Sequence, residues 1–320
     1  MKKNNTGIFV GILLIVITLV SFSSTFFIYK KGINRQNVQN QGTEFHNTES
    51  QDTIKVVTSF YPMYIATMNV IDGIDGVELE SLSEPQTGCL HDYVLTTEDM
   101  KNLSTADVLI INGGGIESFI EEVAKTYPDL VIIQACDGIE LLADGDEENA
   151  HAWMDVSLYE KQVENIAAGL SEYDSANADK YKANAAAYEK RLQPLAERMS
   201  KLKEQYGGGD IIIFHEAYDY VADALGMEVV FVMDLDEERQ ISAGEQADVL
   251  TAISDNEVKL VLADATYGKK MGDVVDAESA AKTIYIDPLT RGEYYEDSYI
   301  DHMNENIDIL ERALTDIDGN

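Results

Sequence analysis

Residues 174–209 read "DSANADKYKANAAAYEKRLQPLAERMSKLKEQYGGG" and carry a long helical pattern. Apolar residues recur alternately four and three positions apart, which places them in one narrow stripe on a helix. The stripe consists of Tyr181, Ala185, Tyr188, Leu192, Leu195, Met199, Leu202 and Tyr206. At 1.5 Å per residue, a helix of roughly 30 residues reaches about 45 Å, longer than one domain needs for itself. We therefore predict a helix that spans two domains and ends at the glycines 207–209, with Pro194 as a candidate kink. A coiled-coil dimer is the alternative.

Short apolar runs rich in Val and Ile lie on both sides of this helix, four in each half. They cover residues 54–60, 77–82, 107–113 and 130–135, then 210–215, 228–233, 259–264 and 282–287. The runs alternate with helical patterns, which is typical of parallel sheets covered by helices, so the predicted fold class is α/β. We place an N-terminal α/β domain at 53–172, the linking helix at 173–208 and a C-terminal α/β domain at 209–320.

The first 52 residues resemble a membrane or export segment followed by a polar tether. Residues 7–29, "GIFVGILLIVITLVSFSSTFFIY", contain no charge, and a helix of this length crosses a hydrocarbon core about 30 Å thick. We expect an N-terminal membrane anchor at 1–29, with a cleaved signal peptide as the alternative, and a tether at 30–52. No cysteine lies in this region, so we do not expect lipid attachment of the usual bacterial lipoprotein kind.

The charge of the chain is strongly negative. Asp and Glu outnumber Lys and Arg by 58 to 23, which gives a formal net charge of −35. Such a field repels nucleic acid and attracts cations, so we expect no nucleic-acid partner. Solubility alone is the simpler explanation of the same charge. The two cysteines, Cys89 and Cys136, either pair outside the membrane or remain as unpaired thiols.

Three histidines stand at or beyond the predicted carboxyl ends of strands, or in loops that lead into helices. They are His91 in "TGCLHDYVLTTED", His151 in "ENAHAWMDV" and His215 in "IIIFHEAYDY". Ligands of open parallel sheets bind at that edge, so two domains facing each other can bring the three rings together. Three imidazoles with a carboxylate or water form a tetrahedral zinc site, and Asp287 ends the last predicted strand as a candidate fourth ligand. The simpler alternative for each histidine is that it is a hydrogen-bonded loop residue without a ligand role.

The surroundings of these histidines suggest supporting roles. Asp92, Asp155 and Glu216 are candidates to accept the free ring N–H groups, and Trp153 and Tyr93 are expected to pack around the site. Two capping boxes are predicted, "TTED" at 96–99 and "SLYE" at 157–160. The glycines at 113–115 lack the spacing of a nucleotide fingerprint, so we expect a close backbone approach there.

Five sequence blocks together resemble the metal-binding solute receptors of bacterial ABC importers, the zinc and manganese group. The blocks are "TGCLHDYVLTTEDM", "HAWMDV", "FHEAYDYVADALG", "ISAGEQADVL" and "YIDPL", in this order. The likeness covers Ile54 to about Leu314. It implies two similar domains with four-stranded parallel sheets, joined by one long rigid helix, with the metal ion held in the interdomain cleft.

The resemblance also implies ligands. His91 and His151 match family histidines, and His215 stands where the manganese branch has a glutamate and the zinc branch a histidine. Zinc is therefore the expected ion, with manganese as the alternative. Asp287 matches an aspartate that serves as fourth ligand mainly in manganese-type members, and water is the alternative there. The acidic loop before His151 replaces the histidine-rich loop of many zinc receptors, and Cys89 opens the possibility of a disulfide to Cys136.

The sequence therefore predicts a monomeric zinc receptor, and not an enzyme. It would capture Zn2+ on the extracytoplasmic face of the bacterial membrane and deliver it to the permease of an ABC importer. A zinc hydrolase with Glu216 as general base and an adhesion or scaffold protein are the alternatives from other classes.

Overall fold

The structure is a computed structural model that describes residues 53–85, 90–91, 93–144, 147–235 and 238–319. The expected anchor and tether at 1–52 lie outside the described residues, as do Cys89 and Asp92. Within the described ranges, no helix is both long enough and apolar enough to cross a membrane.

The N-terminal lobe is built on a parallel four-stranded sheet in the order β2-β1-β3-β4. Its strands are β1 (Ile54–Thr58), β2 (Val77–Ser81), β3 (Val108–Ile111) and β4 (Val131–Gln134). A short antiparallel hairpin follows, made of β5 (Ala143–Asp144) and β6 (Glu147–Glu148). The helices are α1 (Tyr61–Val70), α2 (Thr97–Leu103), α3 (Ile120–Thr126) and α4 (Val156–Tyr173). Every residue of β3 is buried, as expected for a parallel strand with both faces covered.

The connecting helix α5 (Ala178–Tyr206) has 29 residues and contains Pro194 without interruption. Seven of the eight predicted stripe residues are buried, and Tyr206 at its end is partly buried. The helix contacts α4 and α1 of the first lobe as well as helices of the second lobe. The stripe therefore packs within its own chain, as predicted, and Gly207 caps the end of the helix.

The C-terminal lobe repeats the architecture of the first. Its strands are β7 (Asp210–Ile213), β8 (Glu228–Val232), β9 (Leu260–Ala263) and β10 (Lys282–Tyr285). Its helices are α6 (Asp219–Leu225), α7 (Ala243–Asp255), α8 (Lys269–Glu278) and α9 (Ser298–Asp318). The sheet order is β10-β9-β7-β8, so in both lobes the first strand lies between the second and the third. All eight predicted strands are present, and the α/β fold class is confirmed.

The two lobes share one apolar core. A single cluster of buried residues runs from Val56 in β1 to Leu314 in α9, and a smaller cluster lies within the C-terminal lobe. Direct hydrogen bonds add to this contact: the Tyr61 hydroxyl lies 2.6 Å from Ser298 Oγ, and Trp153 Nε1 donates to the Pro288 carbonyl at 2.9 Å. The lobes are therefore held together by side chains of the protein itself.

The two predicted capping boxes have different outcomes. Thr96 caps α2 in a complete box with Asp99, as predicted. In α4 the cap is Asp155, whose side chain accepts the backbone N–H groups of Ser157 and Leu158. The prediction that "SLYE" opens this helix is wrong, because a carboxylate two residues earlier already satisfies the first amides. The hairpin of β5 and β6 was not predicted.

Candidate metal site

The three predicted histidines lie at the carboxyl edges of the two sheets, which face the cleft between the lobes. His91 lies in the loop between β2 and α2, His151 follows the hairpin strand β6, and His215 lies two residues beyond β7. In each lobe the loops beside the central strands form the crevice where ligands of such sheets bind. The topology therefore brings residues distant in sequence to one place.

His91 and His151 present their ring nitrogens to each other. The two Nε2 atoms are 3.3 Å apart, and the ring centroids are 5.1 Å apart. His151 is completely buried, whereas His91 is partly exposed. Two imidazole nitrogens at this separation can both coordinate one small cation. Imidazole nitrogen is a donor that suits borderline metal ions such as zinc.

Packing within the N-terminal lobe sets the loop that carries His151. Gly114 adopts a positive φ of 65°, and a Cβ there would lie 3.2 Å from the Cβ of Ala150. The Asn112 side chain donates to the Ala150 carbonyl at 2.9 Å, and the buried Glu117 carboxylate accepts the Asn112 backbone N–H at 2.7 Å. Gly114 therefore gives the expected close backbone approach, and the loop before His151 rests on a buried polar network.

His215 is held differently. It caps the short 3-10 helix Glu216–Tyr218, and its Nδ1 accepts the backbone N–H of Ala217 at 3.0 Å. Its ring centroid lies 5.0 Å from that of His151, and only 3% of the residue is exposed. The third predicted ligand therefore packs against His151, but it is not in the group of described residues whose ligand atoms lie within 4.8 Å of one another, and its Nδ1 is engaged in the turn.

Glu216 is the acidic member of the cluster. Its Oε1 lies 3.2 Å from His91 Nε2 and 3.6 Å from His151 Nδ1. Among the described residues, the group able to offer three ligand atoms within 4.8 Å of one another is His91, His151 and Glu216. The sequence predicted a supporting role for Glu216, and the structure places its carboxylate among the candidate ligands.

Burial keeps the rings of His151 and His215 uncharged. Burial, followed by the neighbouring charges of His215 and His91, lowers the pKa of His151 well below 6.5. Burial likewise lowers the pKa of His215 to about 4. The hydrogen bond from His91 lowers the pKa of Glu216. At neutral pH His151 and His215 are therefore neutral imidazoles and Glu216 is an anionic carboxylate, which are the protonation states that a metal ion requires of its ligands.

Asp287 lies at the end of β10, as predicted, but its carboxylate is bonded elsewhere. Oδ2 lies 2.7 Å from His302 Nδ1, and Oδ1 accepts the backbone N–H of Leu289 at 2.8 Å. The hydrogen bond with Asp287 raises the pKa of His302. The structure therefore pairs Asp287 with a histidine of α9, and Asp287 is not in the group with His91 and His151.

Of the two aromatic residues expected to pack around the site, one lies beside it and the other does not. Trp153 is buried with its ring centroid 4.9 Å from that of His151, so it packs beside the site as predicted. Tyr93 instead donates to Asp99 at 3.0 Å and packs on Phe119 within the first lobe. Cys136 is a buried free thiol that accepts a hydrogen bond from Gln162.

A cleft of about 820 Å3 opens beside the cluster. His91 and Glu216 line it together with Glu148, Asp219 and Asp223, and apolar side chains of β8 form another part of its wall. An acidic opening of this size admits a hydrated cation and favours it electrostatically.

Two lobes of the same topology, with candidate ligands converging from both onto one cleft, define a two-lobed solute receptor with a cation site. A protein-family model described as "Zinc-uptake complex component A periplasmic" (ZnuA) matches residues 56–313. The chain belongs to this family, whose members are metal-binding solute receptors that serve ABC importers. Because these proteins are receptors, the hydrolase alternative is dropped.

The relatives differ in the metal that their names state. The chain is 27% identical to the "High-affinity zinc uptake system protein ZnuA" of Bacillus subtilis (strain 168), over 86% of this chain and 92% of that protein. It is 28% identical to the "Manganese-binding lipoprotein MntA" of Halalkalibacterium halodurans, over 84% and 91%. The Mn2+ complex of the solute-binding protein FpvC from Pseudomonas aeruginosa aligns with a TM-score of 0.73 and 26% identity, covering 82% of this chain and 99% of that one.

Proposed function

We propose that this protein is a receptor that captures Zn2+ outside the cytoplasm and delivers it to the permease of an ABC importer. The observation that carries the proposal is the convergence of His91, His151 and His215 in the cleft between the lobes, with 3.3 Å between the Nε2 atoms of the first two. Zn2+ here is the transported cargo, and the shared core allows the lobes to remain folded after its release.

The donor atoms favour zinc over manganese. Imidazole nitrogen suits Zn2+, whereas Mn2+ prefers carboxylate, carbonyl and water oxygens. Three of the candidate ligands are imidazoles, and burial keeps two of them neutral at neutral pH. A manganese receptor is the second candidate, because Glu216 brings one oxygen donor to the cluster.

The proposed protein ligands are His91, His151 and His215, with an oxygen donor in the fourth position. The sequence pointed to Asp287 or water for that position. Asp287 is bonded to His302 and would have to leave that partner, whereas Glu216 Oε1 already lies 3.2 Å from His91 Nε2. This geometry favours Glu216 over Asp287 as the oxygen ligand.

The proposed location is the extracytoplasmic face of the cell membrane. Residues 7–29 form an uncharged segment long enough to anchor the chain, or to export it if the segment is cleaved. The receptor is proposed to act as a monomer, because the apolar stripe of α5 is already buried within its own chain.

Competition against a zinc chelator tests the proposal. The metal-stripped full-length protein is titrated with Zn2+ and separately with Mn2+, together with the variants His215→Ala, Glu216→Gln and Asp287→Asn. We expect one tight zinc site, much weaker manganese binding, and a strong loss of zinc affinity in His215→Ala. Glu216→Gln should weaken zinc binding more than Asp287→Asn does.

Three results would contradict parts of the proposal. Manganese binding as tight as zinc binding would favour the manganese receptor. Unchanged zinc affinity in His215→Ala would remove this histidine from the ligand set, and a larger loss in Asp287→Asn than in Glu216→Gln would return Asp287 to the fourth position.

A further inference from the structure

Asn149, two residues before His151, is buried and bonded through both its backbone and its side chain. Its backbone N–H donates to the Leu142 carbonyl at 2.7 Å, and its carbonyl accepts the Tyr220 hydroxyl at 2.6 Å. Only 7% of the residue is exposed. Its position is therefore fixed independently of the contacts that its side chain makes with the candidate ligands.

The hydrogen-bond partners determine which way the Asn149 amide points. Oδ1 accepts the backbone N–H of His151 at 3.1 Å, and a backbone N–H can only donate. Nδ2 lies 2.9 Å from the Glu216 carbonyl and 3.1 Å from the Asp219 carboxylate, and both of these groups accept. Two independent sets of contacts therefore require the same orientation of the amide.

This orientation determines the tautomer of His151. His151 Nδ1 lies 2.8 Å from the same Oδ1 of Asn149, so Nδ1 must carry the proton that makes this bond. In a neutral ring the lone pair then lies on Nε2, the atom that faces His91 Nε2 at 3.3 Å. The amide thus turns the coordinating nitrogen of His151 toward the metal position before any metal arrives.

The same side chain joins the two lobes beside the site. Asn149 belongs to the first lobe, whereas the Glu216 carbonyl and Asp219 belong to the second. Tyr220 of α6 also reaches across, to the Asn149 carbonyl and to the Leu142 N–H. One residue therefore links the ring of His151 to the turn that carries His215 and Glu216.

We propose that Asn149 is a positioning residue of the metal site, which sets the tautomer of His151 and ties it to the ligand-bearing turn of the second lobe. The inference rests on the proposed function, since it assigns His151 as a ligand. The protonation pattern of the ring is a property of the metal-free protein, so it can be tested without zinc.

The first test is the long-range 15N–1H spectrum of the metal-free full-length protein with labelled histidine rings. His151 is assigned by the loss of its signals in His151→Gln. We expect a protonated Nδ1 and an unprotonated Nε2 in the wild type and in Asn149→Asp, which keeps an oxygen acceptor. Asn149→Ala should show protonated Nε2. A protonated Nε2 in the wild type, or an unchanged ring in Asn149→Ala, would overturn the inference.

The second test is zinc affinity, measured by chelator competition on the same proteins. Asn149→Ala should weaken binding by about 10–100-fold, as loss of a residue that orients a ligand does. Asn149→Asp should weaken it less, because it retains the acceptor for Nδ1 but places a carboxylate against Asp219. Wild-type affinity in Asn149→Asp would overturn the cross-lobe part of the inference.

The matched control is Asn165→Ala. Asn165 lies in the same lobe, and its amide donates to the carbonyls of Ala135 and Asp137 without touching the cluster. The Asn165→Ala variant should keep the wild-type zinc affinity and the wild-type protonation of the His151 ring. Thermal unfolding of each variant checks folding. If Asn149→Ala does not fold, the wild-type ring spectrum tests the tautomer and the zinc affinity of Asn149→Asp tests the link between the lobes. Absence of tight zinc binding in the wild type would overturn the proposed function, whereas the ring spectrum alone decides the tautomer.

Discussion

His151 and His215 lie side by side, but the two lobes present them in opposite protonation patterns. In the first lobe, His151 Nδ1 donates to Asn149 Oδ1, so the lone pair of the ring lies on Nε2. In the second lobe, His215 Nδ1 accepts the backbone N–H of Ala217, so a neutral ring carries its proton on Nε2. The first ring is ready to bind a metal through Nε2, and the second is not.

The difference shows how the two halves of the site are built. The His151 loop rests on buried side chains that are independent of the metal, whereas His215 serves as the cap of a short turn when no metal is bound. For His215 to bind through Nε2, its hydrogen bond to Ala217 must break and the proton must move to Nδ1. We therefore expect the first lobe to receive the ion and the second lobe to complete the site.

The largest expected effect is on zinc affinity, and it compares the loss of His151 with the loss of His215. His151→Ala should lose more zinc affinity than the ~10–100-fold that loss of an orienting residue costs. His215→Ala should also lose zinc affinity strongly, but by up to about tenfold less than His151→Ala, because the wild type spends a net ~0.5–1.5 kcal/mol in breaking the cap of His215 when it binds zinc. Chelator competition measures both. An equal or greater loss in His215→Ala would contradict the comparison.

The buried carboxyl group of Glu117, which lies in the polar network under the His151 loop, predicts that stability depends on pH. Burial raises the pKa of Glu117 to about 6, from 4.5 in an exposed glutamate. The folded state therefore binds this proton more tightly than the unfolded state, so the carboxyl group lowers stability as pH rises through 4.5 to 6. The 1.5-unit difference corresponds to about 2 kcal/mol.

Glu117→Gln removes this titration and provides the test. Urea unfolding at pH 4 and pH 7 should show that wild-type stability falls by about 2 kcal/mol relative to Glu117→Gln over this interval. A constant difference between the two proteins would show that the buried carboxyl group does not titrate in this range.

Removing the charge of Glu216, which belongs to the second lobe, tests whether this carboxylate contributes directly to zinc binding. Glu216→Gln should weaken zinc binding by about tenfold, because it removes a charged partner that is partly screened by solvent. The control is Glu148→Gln, which neutralises a carboxylate of the same cleft outside the ligand group and should bind zinc as the wild type does. Equal losses in both variants would indicate a general field of the cleft and no ligand role for Glu216.

The smallest expected effect concerns the contact between the lobes. Tyr61→Phe removes the buried hydrogen bond to Ser298 and should lower the unfolding free energy by about 1 kcal/mol. Zinc affinity should not change, since the lobes share a core. Tyr64→Phe, one turn along α1, is the control for loss of a tyrosine hydroxyl. Weakened zinc binding in Tyr61→Phe alone would show that this contact sets the relation of the two ligand halves.

Much of the fold could be predicted from sequence because its signals are local. Each strand is a short Val- and Ile-rich run, and the stripe of α5 follows the helical period over 29 residues. The hairpin of β5 and β6 could not be predicted, since its strands have two residues each and no apolar alternation. The cap of α4 was misplaced because Asp155 and Ser157 are both good caps, and only the backbone conformation chooses between them.

The site was predicted in part. His91, His151 and His215 were identified as residues near strand ends, and the structure brings all three to one cleft. Glu216 had been assigned a supporting role, and Asn149 was missed because no local pattern marks it. Asp287 was expected beside the cluster, but its bond to His302 depends on how α9 packs against the end of β10, and sequence spacing does not report this.

The sequence by itself determined the α/β class, the two groups of four strands, the long connecting helix and the types of side chain available for a metal, because periodicity and residue chemistry are properties of short segments. Only the tertiary structure decided which nitrogen of each ring carries the proton, which carboxylate joins the histidines and which residue links the lobes. The choice of carboxylate and the link between the lobes depend on residues more than 60 positions apart, such as Asn149 and Glu216, and the same pair orients the amide that sets the proton of His151. A hydrogen bond of this kind requires a distance and an angle, and those exist only once the two lobes have packed together.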